Sequence, residues 1–409
     1  MKILILSVGS QGDVQPYVAL GAGLQAAGHA VSLATSARFG ALVASAGLRM
    51  APLQADFMAL IDTPEGKRSL AGGNPFSLLK KVEPMLRGML DECLAHASDT
   101  DMLIYHPKVL AGRHIAEAHR IPAIVAHPVP LFSPTRAFAS PLIPFDNLGG
   151  ALNQLSHRLL IWLSFSFFRT MIGQWRSEVL GLVPGWDELS LGGRPLPRIY
   201  GCSRHLVAQP ADWHDHSFIS GSWFYDQAHT WQPPAALEQF LSAGAPPLYI
   251  GFGSMAGPDA ARITRLIVSA LERVGVRAIL ARGAGGITAD QLPPSVYLID
   301  HAPHDWLFRH VAGVVHHGGA GTTAAGLRAG LPTLICPFFG DQVFWGRRVM
   351  AYGAGLAPIA QRRLSVDRLA TAFDALIHDD TMRRRAAELG ALIRAEDGVA
   401  QAVRWISRQ

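Results

Sequence analysis

One rhythm, played twice, constrains this 409-residue chain more than any other feature. Near the amino terminus ILILSV, VALGAGLQAAG and AVSLAT alternate a short apolar run, a helix-length segment and a second apolar run. That order predicts parallel strands joined by crossover helices. After a break it restarts: PLYIGFGS reads as strand and turn, 260–274 as helix, VRAILA and VAGVVHH as strands, 322–329 as helix and PTLICPF as strand. Each run predicts a doubly wound α/β sheet, and the length is more than twice the roughly 150 residues of an average domain. The expected organisation is a Rossmann-like domain over 1–225, a connector with four prolines over 226–247, and a second Rossmann-like domain over 248–385. Helices over 386–409 are expected to pack back toward the first domain. Such sheets bind ligands at the carboxyl ends of their strands, so two of them facing one cleft would place the chemistry there.

Composition narrows the class. A hydrophobic share of 49% with 16% charged residues, 41 Gly and 27 Pro fits a well-buried globular chain rich in turns and excludes disorder and coiled coil. The net charge of +5 is scattered rather than gathered in runs, which gives nucleic-acid binding no support. Cys93, Cys202 and Cys336 are widely spaced and form no zinc pattern. They suit a reducing compartment. MKILIL reads as a first strand rather than a leader, and the longest apolar stretch, 159–168, is about half of the roughly 20 residues that cross a bilayer. A cytoplasmic protein is expected, with that stretch free to meet a membrane surface or an apolar ligand.

The motif with most chemical content is VVHHGGAGTTAAG at 314–326, a strand running into Gly318, Gly319 and Gly321 and then a helix. Glycines let the backbone approach, amides at the helix start point at an anion, and the helix dipole favours negative charge there. His317, Thr322 and Thr323 add side-chain donors, so the junction is read as a diphosphate site rather than a turn made for packing alone. Ser254, in the Gly-rich turn after the strand at 248, is placed on the same diphosphate. Gly251-x-Gly253-x-x-Ala256 also satisfies the loose dinucleotide fingerprint, but the next strand ends in LARGAGG, with Arg282 where an acid belongs. In PFFGDQVFWG, Asp341 and Gln342 follow a strand end, where carboxylate and amide can grip neighbouring sugar hydroxyls; the other use of such a pair is an N-cap and a surface amide. In the loop Gly9-Ser10-Gln11-Gly12-Asp13, Asp13 is the candidate general base. The same residue can cap the helix that follows, and capping would lower its pKa. Asp99 and Asp101 precede a strand and read as a turn; Asp212, His214, Asp215 and His216 read as a polar loop, and no metal is expected.

These residues resemble the inverting, two-domain GT-B glycosyltransferases, in the branch of sterol 3-β-glucosyltransferases and bacterial glycosyltransferases of natural products. The resemblance runs through GSQGDVQPYVALGAGLQAAGH at 9–29, PVPLFSPTRAFASPL at 128–142, GSWFYD at 221–226, YIGFGSM at 249–255, HAPHDWLF at 301–308 and the segment 314–346. It implies that His317, Gly319, Gly321, Thr322, Thr323 and Ser254 hold the donor diphosphate and that Asp341 and Gln342 hold the donor sugar. It places His301, Ala302 and His304 beside the nucleoside and Asp13 at the catalytic position, where many relatives carry a histidine. His301 stands where plant relatives have a tryptophan against the base, and Ala325 where they have a ribose-binding glutamate. The carboxylate with which plant relatives orient their base is missing from YHPKVL, so Asp13 is expected to work without a partner, His106 being the outside candidate.

The implied reaction is a direct displacement that moves a hexose, glucose from UDP-glucose first of all, onto a hydroxyl of an apolar acceptor, with neither metal nor resident cofactor. Residues 128–180 are rich in Phe, Leu, Trp and Pro, including Phe132, Phe138, Trp162, Phe165, Phe167 and Phe168, and suit the walls of a sterol, triterpenoid, polyketide or phenolic acceptor. Ordinary core or lid packing is the other use of such a stripe. Ser10, Gln11, His106, Phe132 and Phe138 are the acceptor-loop candidates. A sugar-nucleotide 2-epimerase, a TDP-deoxysugar or rhamnose transferase, a non-catalytic nucleotide-sugar-binding protein and a nicotinamide enzyme are the readings weighed beside it.

Overall fold

The computed structural model describes residues 1–54, 75–253, 260–283 and 292–409, with the backbone alone over 75–81. It divides into two units: Met1–Arg204 with Ala208–Tyr225 and Asp397–Gln409, and His205–Val207 with Asp226–Glu396.

In the first unit β1 (Lys2–Leu6), α1 (Gln11–Ala26), β2 (Ala30–Ser36), α2 (Gly40–Ser45) and β3 (Arg49–Leu53) follow the expected order. Then come α3 (Pro75–His96), β4 (Met102–Tyr105), α4 (Gly112–His119) and β5 (Ala123–His127). Ile3, Leu4, Ile5 and Leu6 are all buried, the continuous apolar run expected of a parallel strand covered on both faces. Two helices follow, α5 (Gly150–Ser166) and α6 (Arg169–Glu178), then a two-stranded hairpin of β6 (Ser190–Leu191) and β7 (Arg194–Pro195), and β8 (Arg198–Tyr200) with β9 (Ser217–Ile219). The parallel sheet has the order β3-β2-β1-β4-β5-β8-β9. The order reverses between β1 and β4, which opens a crevice at their carboxyl ends.

The second unit opens with α7 (Ala235–Ser242), β10 (Leu248–Gly251), α8 (Ala260–Val274), β11 (Ala278–Ala281) and β12 (Val296–Ile299). It continues through α9 (His304–Leu307), β13 (Gly313–His316), α10 (Ala320–Arg328), β14 (Thr333–Ile335) and α11 (Gln342–Tyr352), then α12 (Val366–His378) and α13 (Asp380–Arg394). Its parallel sheet has the order β12-β11-β10-β13-β14, with its own reversal between β10 and β13. Helix α8 shows why such segments are helical: Ile263, Ile267, Ala270 and Leu271 recur at steps of three and four and are buried.

Two boundaries differ from expectation. The stretch expected as a connector belongs to the second unit, because Leu237 of α7 is buried against Tyr249, Leu307 and Phe308, and Asp305 accepts from the amides of Gln227 and Ala228 at 3.1 and 2.7 Å. The return to the first unit begins at Asp397, not 386: α13 packs on α10, and only α14 (Gly398–Ile406) lies on α1. There Ala402 and Ile406 join the core around Leu20 and Leu24. None of the described helices is long and apolar enough to cross a membrane.

Candidate active site

The first reversal point gathers the loops after β1 and β4. Register pairs Leu6 with Tyr105, so residues 7–13 and 106–108 leave the sheet side by side. Asp13 falls at the third position of α1 and turns back on the helix start, where the Ser10 amide and hydroxyl donate to its Oδ2 at 2.9 and 3.0 Å. Gly9 makes this possible. It has φ +131°, and a Cβ there would lie 2.4 Å from Asp13 Oδ2. From β4, Lys108 Nζ donates to Asp13 Oδ1 at 2.7 Å, and His106 Nε2 stands 3.6 Å from the same oxygen. His106 Nδ1 accepts from the Lys108 amide at 3.0 Å, which assigns the ring proton of the neutral form to Nε2, facing the carboxylate.

The electrostatics follow from these contacts. Burial alone would raise the Asp13 carboxyl, but the Lys108 ammonium, then His106, then the hydrogen bonds from Lys108 and Ser10 outweigh it and hold the group well below the usual carboxylate range. His106 is pushed well below an ordinary histidine by burial, then by His127 and Lys108, against the pull of Asp13, so its ring is neutral. The expectation that Asp13 works without a partner is therefore corrected: Lys108, unnoticed in the sequence, and His106 both bear on it.

Rings lead away from this carboxylate. His106 and His127 lie 4.6 Å apart between centroids, His127 and Phe132 5.6 Å, and Phe132 and Phe165 of α5 6.1 Å. Phe132 is half-buried. Phe138, placed in the acceptor loop by sequence, is instead a core residue, packed on His157 and Trp213. Gln11 is exposed, with its amide on Gln15. Asp212 accepts from Thr135 and the Arg136 amide within a short 3-10 helix, Ala211–His216, where a loop was expected, and Lys2 ties down Asp99 and Asp101 at the turn before β4. No group of three metal-ligating side chains occurs among the described residues.

The second reversal point is built differently. Gly251 pairs with His316, and His317 follows beneath the start of α10. The His317 ring fills the space that two glycines leave: a Cβ on Gly319 would lie 2.6 Å from its Nε2, and one on Gly253 3.1 Å from its Cε1. Among the described residues its Nδ1, which is buried, has no hydrogen-bond partner, nor has Nε2 of His316, whose Nδ1 accepts from the Gly318 amide at 3.0 Å. Burial lowers His317 to about 4, and burial followed by His317 and His304 holds His316 well below the histidine range, so both are neutral at pH 7. Helix α10 has Gly319 at its N-cap and no side-chain cap. The Thr323 amide is the first to reach an acceptor in the turn, Gly319 O at 2.9 Å. Those of Ala320, Gly321 and Thr322 have none within the helix and point out of its start. Backbone amides without helical partners at an uncapped helix start are an arrangement that can cradle an anion.

Several expected contacts sit elsewhere. The Thr323 side chain is buried and its hydroxyl donates to Gly319 O at 2.9 Å, so it braces the turn, whereas Thr322 is half-exposed. Ser254 lies outside the described residues. Gln342 is buried, its Oε1 taken by the amides of Phe338 and Phe339 at 2.7 and 3.2 Å, which leaves Nε2 as the end that can serve a ligand. Half-buried Asp341 accepts from the Trp345 indole through Oδ2 at 2.8 Å. His304 stacks on Phe308 at 4.5 Å and is lowered to about 4 by burial and then by His301, while His301 is exposed and Ala302 half-buried beside it. Trp306, unnoticed in the sequence, meets Trp231 at 4.8 Å on the same segment.

Comparison with known proteins agrees with this architecture. Residues 3–137 match the glycosyltransferase family 28 N-terminal domain and residues 266–403 the erythromycin biosynthesis protein CIII-like C-terminal domain. The chain is 39% identical to a sterol 3-beta-glucosyltransferase of Emericella nidulans over 100% of its own length and 30% of the relative's. It is 38% identical to sterol 3-beta-glucosyltransferase UGT80A2 of Arabidopsis thaliana, over 99% of its own length and 65% of the relative's. It thus spans under a third of the fungal relative and about two thirds of the plant one. Among solved structures, the glycotransferase of kitacinnamycin superposes with a TM-score of 0.76 at 21% identity, covering 100% of this chain and 98% of that one. The glycosyltransferase VinC, in complex with dTDP, superposes at 0.71 and 18% identity, covering 100% of each. With two doubly wound sheets, each carrying its ligand loops at a reversal of strand order, the chain has the GT-B fold, matching the glycosyltransferase family 28 N-terminal domain in its first unit and the erythromycin biosynthesis protein CIII-like C-terminal domain mainly in its second.

Proposed function

We propose that this chain transfers glucose from UDP-glucose to the hydroxyl of a flat apolar acceptor, a sterol first of all, by a single displacement that inverts the anomeric centre. The observation that carries the reading is the ionised Asp13, gripped by Ser10 and Lys108 at the end of a ring path through His127 and Phe132 to Phe165. Half-buried Phe132 and Phe165 would flank a planar apolar molecule, with buried His106 and His127 forming the wall behind its hydroxyl on the way to the carboxylate. The sterol 3-beta-glucosyltransferase names of the relatives support the acceptor class.

In this mechanism the acceptor oxygen attacks the anomeric carbon, the bond from that carbon to the β-phosphate oxygen breaks, and the acceptor proton passes to Asp13. A carboxylate held so acidic takes a proton only late, once the attacking oxygen has lost electron density, which suits a displacement with oxocarbenium character. The charge left on UDP falls to His317 and the amides of Ala320, Gly321 and Thr322. Asp341 and the Nε2 of Gln342 serve the sugar hydroxyls, and His301 and Ala302 the nucleoside. The test is calorimetric binding of UDP and TDP, followed by product mass analysis with UDP-glucose and a panel of sterols and phenolic aglycones. Selective UDP binding with one hexose added to sterols is expected. TDP preference, or transfer to phenolics alone, contradicts the donor or the acceptor assignment respectively.

A further inference from the structure

Helix α5 (Gly150–Ser166) is inside out. Its buried positions are Asn153, His157 and Ile161, two of the three polar, while Leu152, Leu155, Leu159 and Trp162 are each 55–60% exposed. These four recur at steps of three and four and make one outward stripe, extended by Phe145 before the helix and Phe167 after it. The orientation is fixed by the polar side. Asn153 accepts from the Leu148 amide at 2.7 Å and donates to Arg136 O and Asn147 Oδ1 at 2.9 and 2.8 Å, and His157 Nε2 faces Phe138 O at 3.2 Å. Rotating the helix to bury its leucines would break all of these at once. Large exposed apolar stripes of this kind mark a surface that is covered in use.

Charge identifies the cover. From Asn147 to Ser177 the sequence has no aspartate or glutamate, while Arg158 on the helix, Arg136 at its amino end and Arg169 just beyond it are exposed. A second copy using the same patch about a twofold axis would bring Arg136, Arg158 and Arg169 to their counterparts, with Asp146 the one acidic residue between Ala137 and Ser177. An apolar stripe with an interfacial Trp and a basic flank matches a helix lying in the headgroup layer of an anionic bilayer. We infer that α5 docks this chain on anionic lipid surfaces, with Leu152, Leu155, Leu159 and Trp162 entering the acyl boundary and Arg136 and Arg158 on the headgroups. The inference stands on the helix alone. Where the proposed sterol reading also holds, Phe165 on the same helix continues into the ring path toward Asp13, and the acceptor enters from the lipid.

The experiment is sedimentation of the full chain with vesicles of phosphatidylcholine alone and with one third phosphatidylglycerol added. Wild type is expected to bind the anionic vesicles about tenfold or more tightly than the neutral ones, and less in high salt. The triple variant Leu152→Gln, Leu155→Gln, Leu159→Gln should lose about tenfold or more of that binding, and Arg158→Glu several-fold, each with an unchanged thermal melt. Transfer to an acceptor presented in cyclodextrin should be unchanged in the triple variant, and transfer to the same acceptor in anionic vesicles should fall. Docking without any transfer would leave this inference standing and overturn the sterol reading. Wild type that ignores both vesicles, a triple variant that binds like wild type, or a wild-type dimer that the triple variant splits would each overturn it.

Discussion

The two reversal points stand at equivalent places in two similar sheets, yet one holds a charge and the other leaves room for one. After β1 and β4, Asp13 is gripped by Ser10 and Lys108 with His106 close by, so the carboxylate is held by the protein's own donors. After β10 and β13, neutral His316 and His317 keep buried nitrogens that have no partner among the described residues, beside an uncapped helix start. A strand-order reversal supplies only an opening; the residues after the strands decide which charge it takes. A pre-satisfied anion suits a group that must receive a proton, and unmet donors suit a departing diphosphate.

Short of removing the carboxylate itself, the comparison is broken most severely at Gly9. Gly9→Ala places a Cβ on Asp13 Oδ2 and strains φ +131°, so transfer should fall by about a hundredfold or more, the scale of losing a general base, while UDP affinity stays within a few fold. Next comes His317→Ala, which removes a donor from the cradle. It should weaken UDP binding about tenfold and lower single-turnover rates further, because the charge grows in the transition state. Equal losses in binding and rate would mean that His317 serves the ground state alone.

Lys108→Met sharpens the comparison through pH. Because Lys108 holds Asp13 low, the acid limb of the wild-type rate profile lies below the ordinary carboxylate range, and in the variant it should rise toward about 4. The stability that this pairing supplies is present above the unfolded carboxyl value and lost as pH falls through the folded one; the variant should therefore lose stability near neutral pH and little in strong acid. With Lys108 more than half exposed, that loss should be small. The smallest effect is expected of Thr323→Val: its hydroxyl braces Gly319 rather than facing outward, so UDP affinity should change by less than about threefold, one internal hydrogen bond.

The sheets were legible because strands buried on both faces read as unbroken apolar runs and their crossover helices as three-to-four periodicity. The expectations at Asp13 and His317 rest on one signal, a short glycine-rich loop straight after a strand, and the structure places both residues at a strand-order reversal. Lys108 was not: it lies 95 residues from Asp13 and reads as an ordinary surface lysine until strand order sets β4 beside β1. Applying the reversal rule to the predicted strands would have pointed to the HPK loop. Phe132 and Phe138 could not be told apart, since both lie in one aromatic segment and only packing sends Phe138 to Trp213. Helices α13 and α14 are both amphipathic, so their pattern does not reveal that only the second leaves for the first unit.

The division of labour between the two reversal points is tested most directly by measuring UDP binding and single-turnover transfer on one preparation of Asp13→Asn. The account predicts UDP affinity within a few fold of wild type and transfer reduced by about a thousandfold, the range of a lost general base. Transfer near the wild-type rate would contradict it, because the carboxylate held at the first reversal point would then not be the group that receives the proton.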